Sequence, residues 1–215
     1  MPVAVFTDFD GTITLDDCND ALVSRYLGPV RRVEYDMAFS RGTMSLWELL
    51  DVSLRACEVP LAEAIGFLHG HVRLAPGFAP FDAWCREQGI PLEVLSAGTE
   101  EVVRSFLQRA GLETPVTANR ATPEATCFGL APRDGGCPTG VDKAAIVLQA
   151  KAAGHHVVFI GDGASDRLAA PHADLLYAKG GLAGWAARRG LAHVPFERFE
   201  EVQADLARRL PGYSG

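Results

Sequence analysis

The fold is indicated near the amino terminus by residues 3–12, VAVFTDFDGT. The first five residues are apolar or β-branched and predict a buried strand, which ends at two aspartates and a glycine. Similar short apolar runs recur at residues 91–96, 116–118, 156–160 and 175–178, and helical patterns lie near 77–88, 99–110, 141–153, 164–170 and 181–189. This alternation predicts an α/β fold with a Rossmann-like parallel sheet core covered by helices on both faces.

One interval, residues 15–75, breaks this alternation, because it contains helical patterns and no convincing strand. Within it Ser45-Leu46-Trp47-Glu48 fits a capping box, which predicts that a helix begins at Ser45. We therefore predict a core domain made of residues 1–14 and 76–215, with a small helical cap domain of residues 15–75 inserted after the first strand. Ligands of parallel sheets bind beyond the carboxyl ends of the strands, where such a cap could exclude water and select the substrate.

Composition excludes several classes of protein. The net charge is −7 and no run of Lys or Arg exceeds two residues, which argues against a nucleic-acid partner. The opening residues, MPVAVF, carry no basic lead and run into an aspartate, so neither a signal peptide nor a membrane span is expected. Five scattered cysteines without a C-x-x-C pair fit reduced thiols. We expect a cytoplasmic monomer or homodimer.

The first chemical signal is the pair Asp8 and Asp10 after the first strand. Side chains two apart in an extended segment point the same way, so both carboxylates would face one site. One carboxylate can attack phosphorus, and a second can protonate the leaving oxygen and then accept a proton from water. The alternative is an acidic strand-to-turn junction without chemistry.

Two further strand ends carry polar groups. Residues 161–166, GDGASD, would bring Asp162 and Asp166 to the sheet edge, where carboxylate oxygens suit Mg²⁺; the alternative is a turn with a capping acid. Residues 96–99, SAGT, offer a hydroxyl and free backbone N–H groups at a helix start, which suit a phosphate oxygen; the alternative is a simple helix cap.

Lys143 is a candidate site residue because the aspartates need a nearby cation, although a single lysine is usually a surface residue. Two like charges 4 Å apart repel by about 4 kcal/mol at an effective dielectric constant of 20. The four aspartates named above could not converge on a phosphate dianion without cations. A divalent metal and one lysine would hold them together.

These motifs, in this order, resemble the haloacid dehalogenase superfamily: D-x-D-G-T, a strand-terminal serine, a lysine, then G-D-x-x-x-D. The resemblance implies a phosphatase whose small-molecule phosphate ester reacts with Asp8 as nucleophile and Asp10 as general acid and base. It also implies that phosphate is bound by Ser96, Ala97 and Gly98. Lys143 would steady the nucleophile and the phosphate. Mg²⁺ would be held by Asp8, the backbone carbonyl of Asp10, and Asp162, with Asp166 supporting the site.

Two branches of that superfamily compete for the substrate. Phosphoserine phosphatases place an acid nine residues after the nucleophile, which here is Asp17, and use a cap arginine whose position Ser53 occupies. Phosphatases of methionine salvage, which act on 2-hydroxy-3-keto-5-methylthiopentenyl-1-phosphate, resemble this chain at residues 8–14, 17, 76–78, 119–121 and 195–199. Of their cysteine-rich segment only Cys137 remains. We expect the methionine-salvage type, with Asp17 contacting substrate and phosphoserine or another small metabolite as the alternative.

Three other classes fit less well. A non-catalytic phosphate- or metabolite-binding module would not need Asp10 and Lys143 together with the metal acids. A carbon–halogen hydrolase needs no metal and would have little use for Asp162. A two-component receiver domain carries its nucleophile on a later strand and has no cap.

Overall fold

The computed structural model describes residues 2–210. Its strands are β1 (Val3–Thr7), β2 (Leu92–Thr99), β3 (Val116–Pro123), β4 (Phe128–Ala131), β5 (His156–Gly161), β6 (Leu175–Ala178) and β7 (Val194–Pro195). Its α-helices are α1 (Cys18–Tyr26), α2 (Gly28–Ser40), α3 (Leu46–Ala56), α4 (Leu61–His71), α5 (Phe78–Glu87), α6 (Glu100–Arg109), α7 (Lys143–Ala152), α8 (Gly180–Arg188) and α9 (Phe199–Arg209).

The strands form one sheet in the order β4-β3-β2-β1-β5-β6-β7. Neighbouring described strands run parallel, except that β3 and β4 form an antiparallel hairpin. Every residue of β1 is buried, as is β5 beyond its first residue, since strands of a parallel sheet are covered on both faces. The predicted α/β fold with a parallel sheet is confirmed.

The strand bounds follow the sequence prediction closely at β1, β5 and β6 and depart from it on one side of the sheet. There β3 runs on to Pro123 and turns back as β4, a strand that the apolar pattern does not predict. Strand β7 is only two residues long and was also missed. Strands of two to four residues are too short for a period to be read, even where their residues are apolar.

The predicted helix at residues 164–170 is wrong. This segment forms turns that end in a single 3-10 turn, Ala170–His172. The Asp166 carboxylate explains the difference, because its Oδ2 accepts the backbone N–H groups of Asp162 and Gly163 at 3.1 Å each. Side-chain bonds to nearby backbone groups compete with the helical pattern.

Helices α1–α4, here called the cap helices, fill the interval between β1 and α5. The chain leaves and re-enters the sheet layer at one place, where Thr14 and Leu74 form an isolated antiparallel bridge. Backbone bonds from Leu15 to Arg73 (2.9 Å) and from Ala75 to Ile13 (2.8 Å) flank this bridge. We propose this crossing as the boundary between a core of residues 1–14 and 76–215 and a cap of residues 15–75. Within residues 2–210, no helix is both long and apolar enough to cross a membrane.

The predicted start of α3 at Ser45 is confirmed by a complete capping box. Ser45 Oγ accepts the backbone N–H of Glu48 at 3.2 Å, and Glu48 Oε2 accepts that of Ser45 at 2.8 Å. We expect Ser45→Ala to lower the free energy of unfolding by about 1 kcal/mol, measured by urea denaturation. Ser40→Ala, at an exposed position one helix earlier, is the matched control and should change nothing. Equal stability of the two variants would contradict the capping role.

Candidate active site

Asp8 lies at the carboxyl end of the central strand β1. Its backbone N–H donates to the carbonyl of Ile160 in β5 at 2.9 Å, so the strand pairing fixes where the side chain begins. The residue is 4% exposed. Burial and the nearby Asp166 charge raise the pKa of Asp8 well above its usual range, although Lys143 opposes this shift.

Phe9, the residue between Asp8 and Asp10, is directed into the core and not toward the site. Phe9 is fully buried and packs edge-to-face on Phe106, with ring centroids 5.9 Å apart. Gly11 has a φ of +72°, and a Cβ there would clash with the Asp162 carboxylate. Glycine is therefore required both by the backbone conformation and by the close approach of the second acidic loop.

Asp10 is half-buried and directed toward the carboxyl end of β2. Its Oδ1 accepts the backbone N–H of Cys18, the first residue of α1, at 3.0 Å. A Cβ built on Gly98 would lie 2.9 Å from Asp10 Oδ2, which places that oxygen beside the last residues of β2. Burial raises the pKa of Asp10, while the N–H of Cys18 opposes the shift. A carboxyl with a raised pKa keeps a proton that it can donate.

Ser96 is 1% exposed and lies within β2, close to Asp10 and Gly98. The structure differs here from the expectation of free backbone donors, because Gly98 N–H already donates to Ser96 Oγ at 2.9 Å. That bond leaves the hydroxyl proton of Ser96 available to an oxygen in the cavity. Ala97 and Gly98 line the same cavity.

Lys143 is the first residue of α7, and its side chain extends to the carboxylates of Asp8 and Asp166. Its Nζ donates to Asp8 Oδ1 at 2.6 Å, to Asp166 Oδ1 at 2.8 Å and to Ser165 Oγ at 3.1 Å. The residue is 2% exposed. Burial alone would lower the pKa of Lys143, but the carboxylates of Asp166 and Asp8 outweigh it and raise the pKa. The lysine is therefore held as a cation.

Asp162 and Asp166 follow β5, as the sequence predicts. Thr12 Oγ1 donates to Asp162 Oδ1 at 2.9 Å and joins the first loop to this one. Burial and the Asp166 charge raise the pKa of Asp162 to about 6. Asp166 is fully buried and uses both oxygens, one on Lys143 and one on the backbone N–H groups of its own loop.

Three carboxylates are placed where they could share a cation. Asp8, Asp162 and Asp166 each offer one oxygen, and these oxygens lie within 4.8 Å of one another. All three donors are hard oxygens, which are the ligands that Mg²⁺ prefers. Burial first, and then repulsion from the Asp166 charge, raise the pKa values of Asp8 and Asp162 despite Lys143. The residues present therefore fit a divalent metal.

A cavity of about 270 Å³ opens between this cluster and the cap helices. Leucines of the cap form its apolar wall, and aspartates supply most of its charge. The cap contributes Asp17, Cys18, Asn19, Asp20, Leu22, Asp36, Phe39, Leu46, Leu49, Leu50, Leu54 and Leu68. Among the described residues, none that lines the cavity is Lys or Arg. A leaving group without a negative charge fits this lining best.

Asp17 occupies the helix N-cap of α1, where its Oδ1 accepts the backbone N–H of Asp20 at 2.9 Å. Its exposed surface lines the cavity, and its second oxygen has no hydrogen-bond partner among residues 2–210. Burial within the cavity and the Asp10 charge raise the pKa of Asp17 well above its usual range. The structure thus gives Asp17 a capping role and leaves one oxygen facing the substrate space.

None of the cap arginines lines this cavity, although Arg32 pairs with two of its acids, Asp20 at 3.0 Å and Asp36 at 3.7 Å. Arg55 pairs with Asp51 at 3.1 Å and with Glu124 on the β3–β4 hairpin. Arg41 ends α2 at an exposed position and is absent from the cavity lining. Neither side chain is in place to pair with a carboxylate on a substrate.

Sequence reasoning missed three residues that support the acids. Thr12 orients Asp162, Ser165 contacts Lys143, and Lys179 after β6 donates to the Thr12 carbonyl at 3.4 Å. Burial lowers the pKa of Lys179, against the charges of nearby acids. Thr12 and Ser165 lie inside the quoted motifs, and this position could have marked them as site residues. Lys179 directly follows a predicted strand, as the predicted acids do, and could have been found in the same way.

Acids and a buried lysine therefore lie together at the carboxyl edge of a parallel sheet, beneath the cap helices. The chain matches the haloacid dehalogenase-like hydrolase family over residues 5–171. This is well over half of its length, and the chain belongs to that family.

Two curated relatives are similar along nearly their whole length. One is 2-hydroxy-3-keto-5-methylthiopentenyl-1-phosphate phosphatase of Geobacillus kaustophilus, 32% identical, with 96% of each chain covered. The other is a polyol phosphate phosphatase of Saccharomyces cerevisiae, 28% identical, covering 99% of this chain and 95% of that one.

Solved structures support the same fold. A phosphoserine phosphatase in a phospho-aspartyl intermediate analogue form has a TM-score of 0.69 at 17% identity, covering 95% of this chain and 98% of that one. The solved structure shows the same fold, and the family and the relatives show that the protein is a phosphatase that acts on small phosphate esters.

Proposed function

We propose that this protein hydrolyses a small phosphate monoester with an uncharged leaving group through an aspartyl-phosphate on Asp8, with Mg²⁺ as cofactor. The observation that supports the proposal is the hydrogen bonding of the Asp8 carboxylate. Lys143 holds one of its oxygens at 2.6 Å, and the other has no hydrogen-bond partner among the described residues. A fixed carboxylate with one free oxygen at the base of a cavity is suited to nucleophilic attack.

In the first step an Asp8 oxygen forms a bond to phosphorus while the ester P–O bond breaks. Asp10 donates its proton to the departing oxygen, and the alcohol leaves. In the second step Asp10 accepts a proton from water, whose oxygen attacks phosphorus, and the Asp8–phosphorus bond breaks to release phosphate. The Ser96 hydroxyl binds a phosphoryl oxygen in both steps beside Ala97 and Gly98, while Lys143 holds Asp8 in place and its positive charge offsets the negative charge of the phosphate.

The cation would be held by Asp8 and Asp162, with the backbone carbonyl of Asp10 as a further ligand and Asp166 in support. Mg²⁺ supplies positive charge that offsets the carboxylates and the phosphate dianion. The charges of the protein indicate this need, because only two lysines among the described residues, Lys143 and Lys179, face four aspartates and the phosphate dianion. Asp166 also keeps Lys143 aimed at Asp8 through its 2.8 Å bond.

The cavity supports an uncharged leaving group. Its cap wall combines leucines with Asp17, Asp20 and Asp36. Arg32 pairs with Asp20 and Asp36 but does not line the cavity, so a substrate carboxylate would meet the charge of Asp17 and no cation among the lining residues. The names of the two relatives, a hydroxyketone phosphate phosphatase and a polyol phosphate phosphatase, agree with this lining. We propose 2-hydroxy-3-keto-5-methylthiopentenyl-1-phosphate as the first compound to test, in a cytoplasmic enzyme.

The test measures kcat/KM for that compound, glycerol 1-phosphate and phosphoserine on one preparation. A missing charged hydrogen bond costs about 1.5–3 kcal/mol, so phosphoserine should be slower by roughly ten- to a hundredfold. Activity should disappear in excess chelator and return with Mg²⁺. Phosphoserine preferred by about tenfold would overturn the substrate class, and full activity in chelator would overturn the metal requirement.

A further inference from the structure

We infer that Asn19 determines specificity by donating a hydrogen bond to a neutral oxygen on the leaving group, a carbonyl or a hydroxyl. This inference rests on the proposed function and adds the residue that selects an oxygenated ester over a plain alkyl one. Asn19 is the second residue of α1 and lines the cavity that Asp10 and Ser96 also line. It is half-buried there.

A contact with Ser53 orients the side-chain amide of Asn19. Ser53 in α3 is fully buried, and its Oγ lies 3.0 Å from Asn19 Oδ1 and 3.0 Å from the Leu50 carbonyl. The hydroxyl proton is shared between these two acceptors, so the oxygen end of the amide is occupied by the cap itself. The nitrogen end is thereby turned away from Ser53.

The nitrogen end has donors without a partner. Asn19 Nδ2 carries two protons, and no residue between 2 and 210 accepts a hydrogen bond from it. A donor left unpaired beside an apolar wall is costly unless a ligand or water accepts from it. A bound ester with an oxygen near its phosphate-bearing carbon would supply that acceptor.

The surrounding side chains make this donor distinctive. The polar side chains that the cap contributes to the cavity are otherwise the carboxylates of Asp17, Asp20 and Asp36 and the weak thiol donor of Cys18. Carboxylates accept hydrogen bonds, so they can bind the protons of a hydroxyl but not a carbonyl oxygen. Asn19 as donor and the free oxygen of Asp17 as acceptor together match a hydroxyketone or a diol.

The experiment compares glycerol 1-phosphate with propyl phosphate, which lacks the two hydroxyls. Asn19→Ala should lower kcat/KM for glycerol 1-phosphate by about three- to tenfold and leave propyl phosphate unchanged, the effect of one neutral hydrogen bond. Asn19→Asp, which keeps the size and replaces the donor with a charge, should show at least the same selective loss. Ser53→Ala should show a smaller loss in the same direction, because it releases the amide rather than removing it.

Inorganic phosphate is the control ligand, since it would contact the core loops and not α1. Its inhibition constant should be the same in all variants, and their thermal unfolding midpoints should match the wild type. Equal losses on both esters, or no loss on glycerol 1-phosphate, would overturn the role of Asn19 and leave the proposed function standing. A wild-type enzyme that hydrolyses neither ester would overturn the proposed substrate class, and this inference with it.

Discussion

An Asp8→Asn variant is expected to lose on the order of 10⁴-fold or more in kcat, because an amide cannot attack phosphorus and the proposed covalent route is closed. The residue is 4% exposed and its backbone is held by β5, so the substitution should not disturb its position. It also leaves Lys143 paired with Asp166 at 2.8 Å. The free energy of unfolding should therefore stay at or above that of the wild type, measured by urea denaturation.

The matched control is Asp16→Asn, the same chemical change at an exposed position outside the cavity lining. It should retain full kcat and unchanged stability. An Asp8→Asn enzyme that keeps about a tenth of wild-type kcat would refute Asp8 as the nucleophile, since only about 1.4 kcal/mol of barrier would then depend on it.

Lys143→Met is expected to damage stability as well as activity. The substitution removes the cation from between Asp8 and Asp166 and leaves two buried carboxylates without a counter-charge. Breaking a buried pair in this way costs about 3–5 kcal/mol of unfolding free energy. Loss of the positive charge that holds Asp8 in place beside the phosphoryl group should lower kcat by a further factor on the order of 10²–10³. Stability is measured in chelator, so that no added cation offsets the lost charge.

Lys151→Met supplies the control for this second prediction. Lys151 also pairs with an aspartate, Asp174, at 2.7 Å, but the pair is partly exposed and its loss should cost less than about 1 kcal/mol. The double variant Lys143→Met/Asp166→Asn should recover part of the stability without recovering activity. A Lys143→Met enzyme no less stable than Lys151→Met would contradict the charge balance described for the site.

The fold could be predicted where the chain is apolar and periodic. β1 and β6 have the predicted bounds, and the start of α3 at Ser45 follows from local capping chemistry. β4 could not be predicted, because its pairing with β3 depends on a hairpin that carries little apolar pattern of its own. The helix expected at 164–170 failed because one side chain, Asp166, bonds to the backbone before it.

In the site, too, the features set by local sequence could be predicted and those set by distant contacts could not. The acids could be placed together because each follows a strand and parallel strands end at one edge, and Lys143 could be added because converging carboxylates need a cation. The contacts that orient them join residues far apart in the chain, such as Thr12 with Asp162 and Asn19 with Ser53. A side chain's partner across such a distance depends on how the cap helices pack, which no local pattern specifies.

The central claim, that the phosphoryl group passes through Asp8, is tested most directly by trapping it. Enzyme mixed with excess substrate and Mg²⁺ is quenched in acid within one turnover, digested and analysed by mass spectrometry. The account predicts one added phosphoryl group on the peptide that contains Asp8, removed by hydroxylamine, and none in Asp8→Asn. A phosphoryl group on another residue, or turnover without any covalent phosphate, would contradict it.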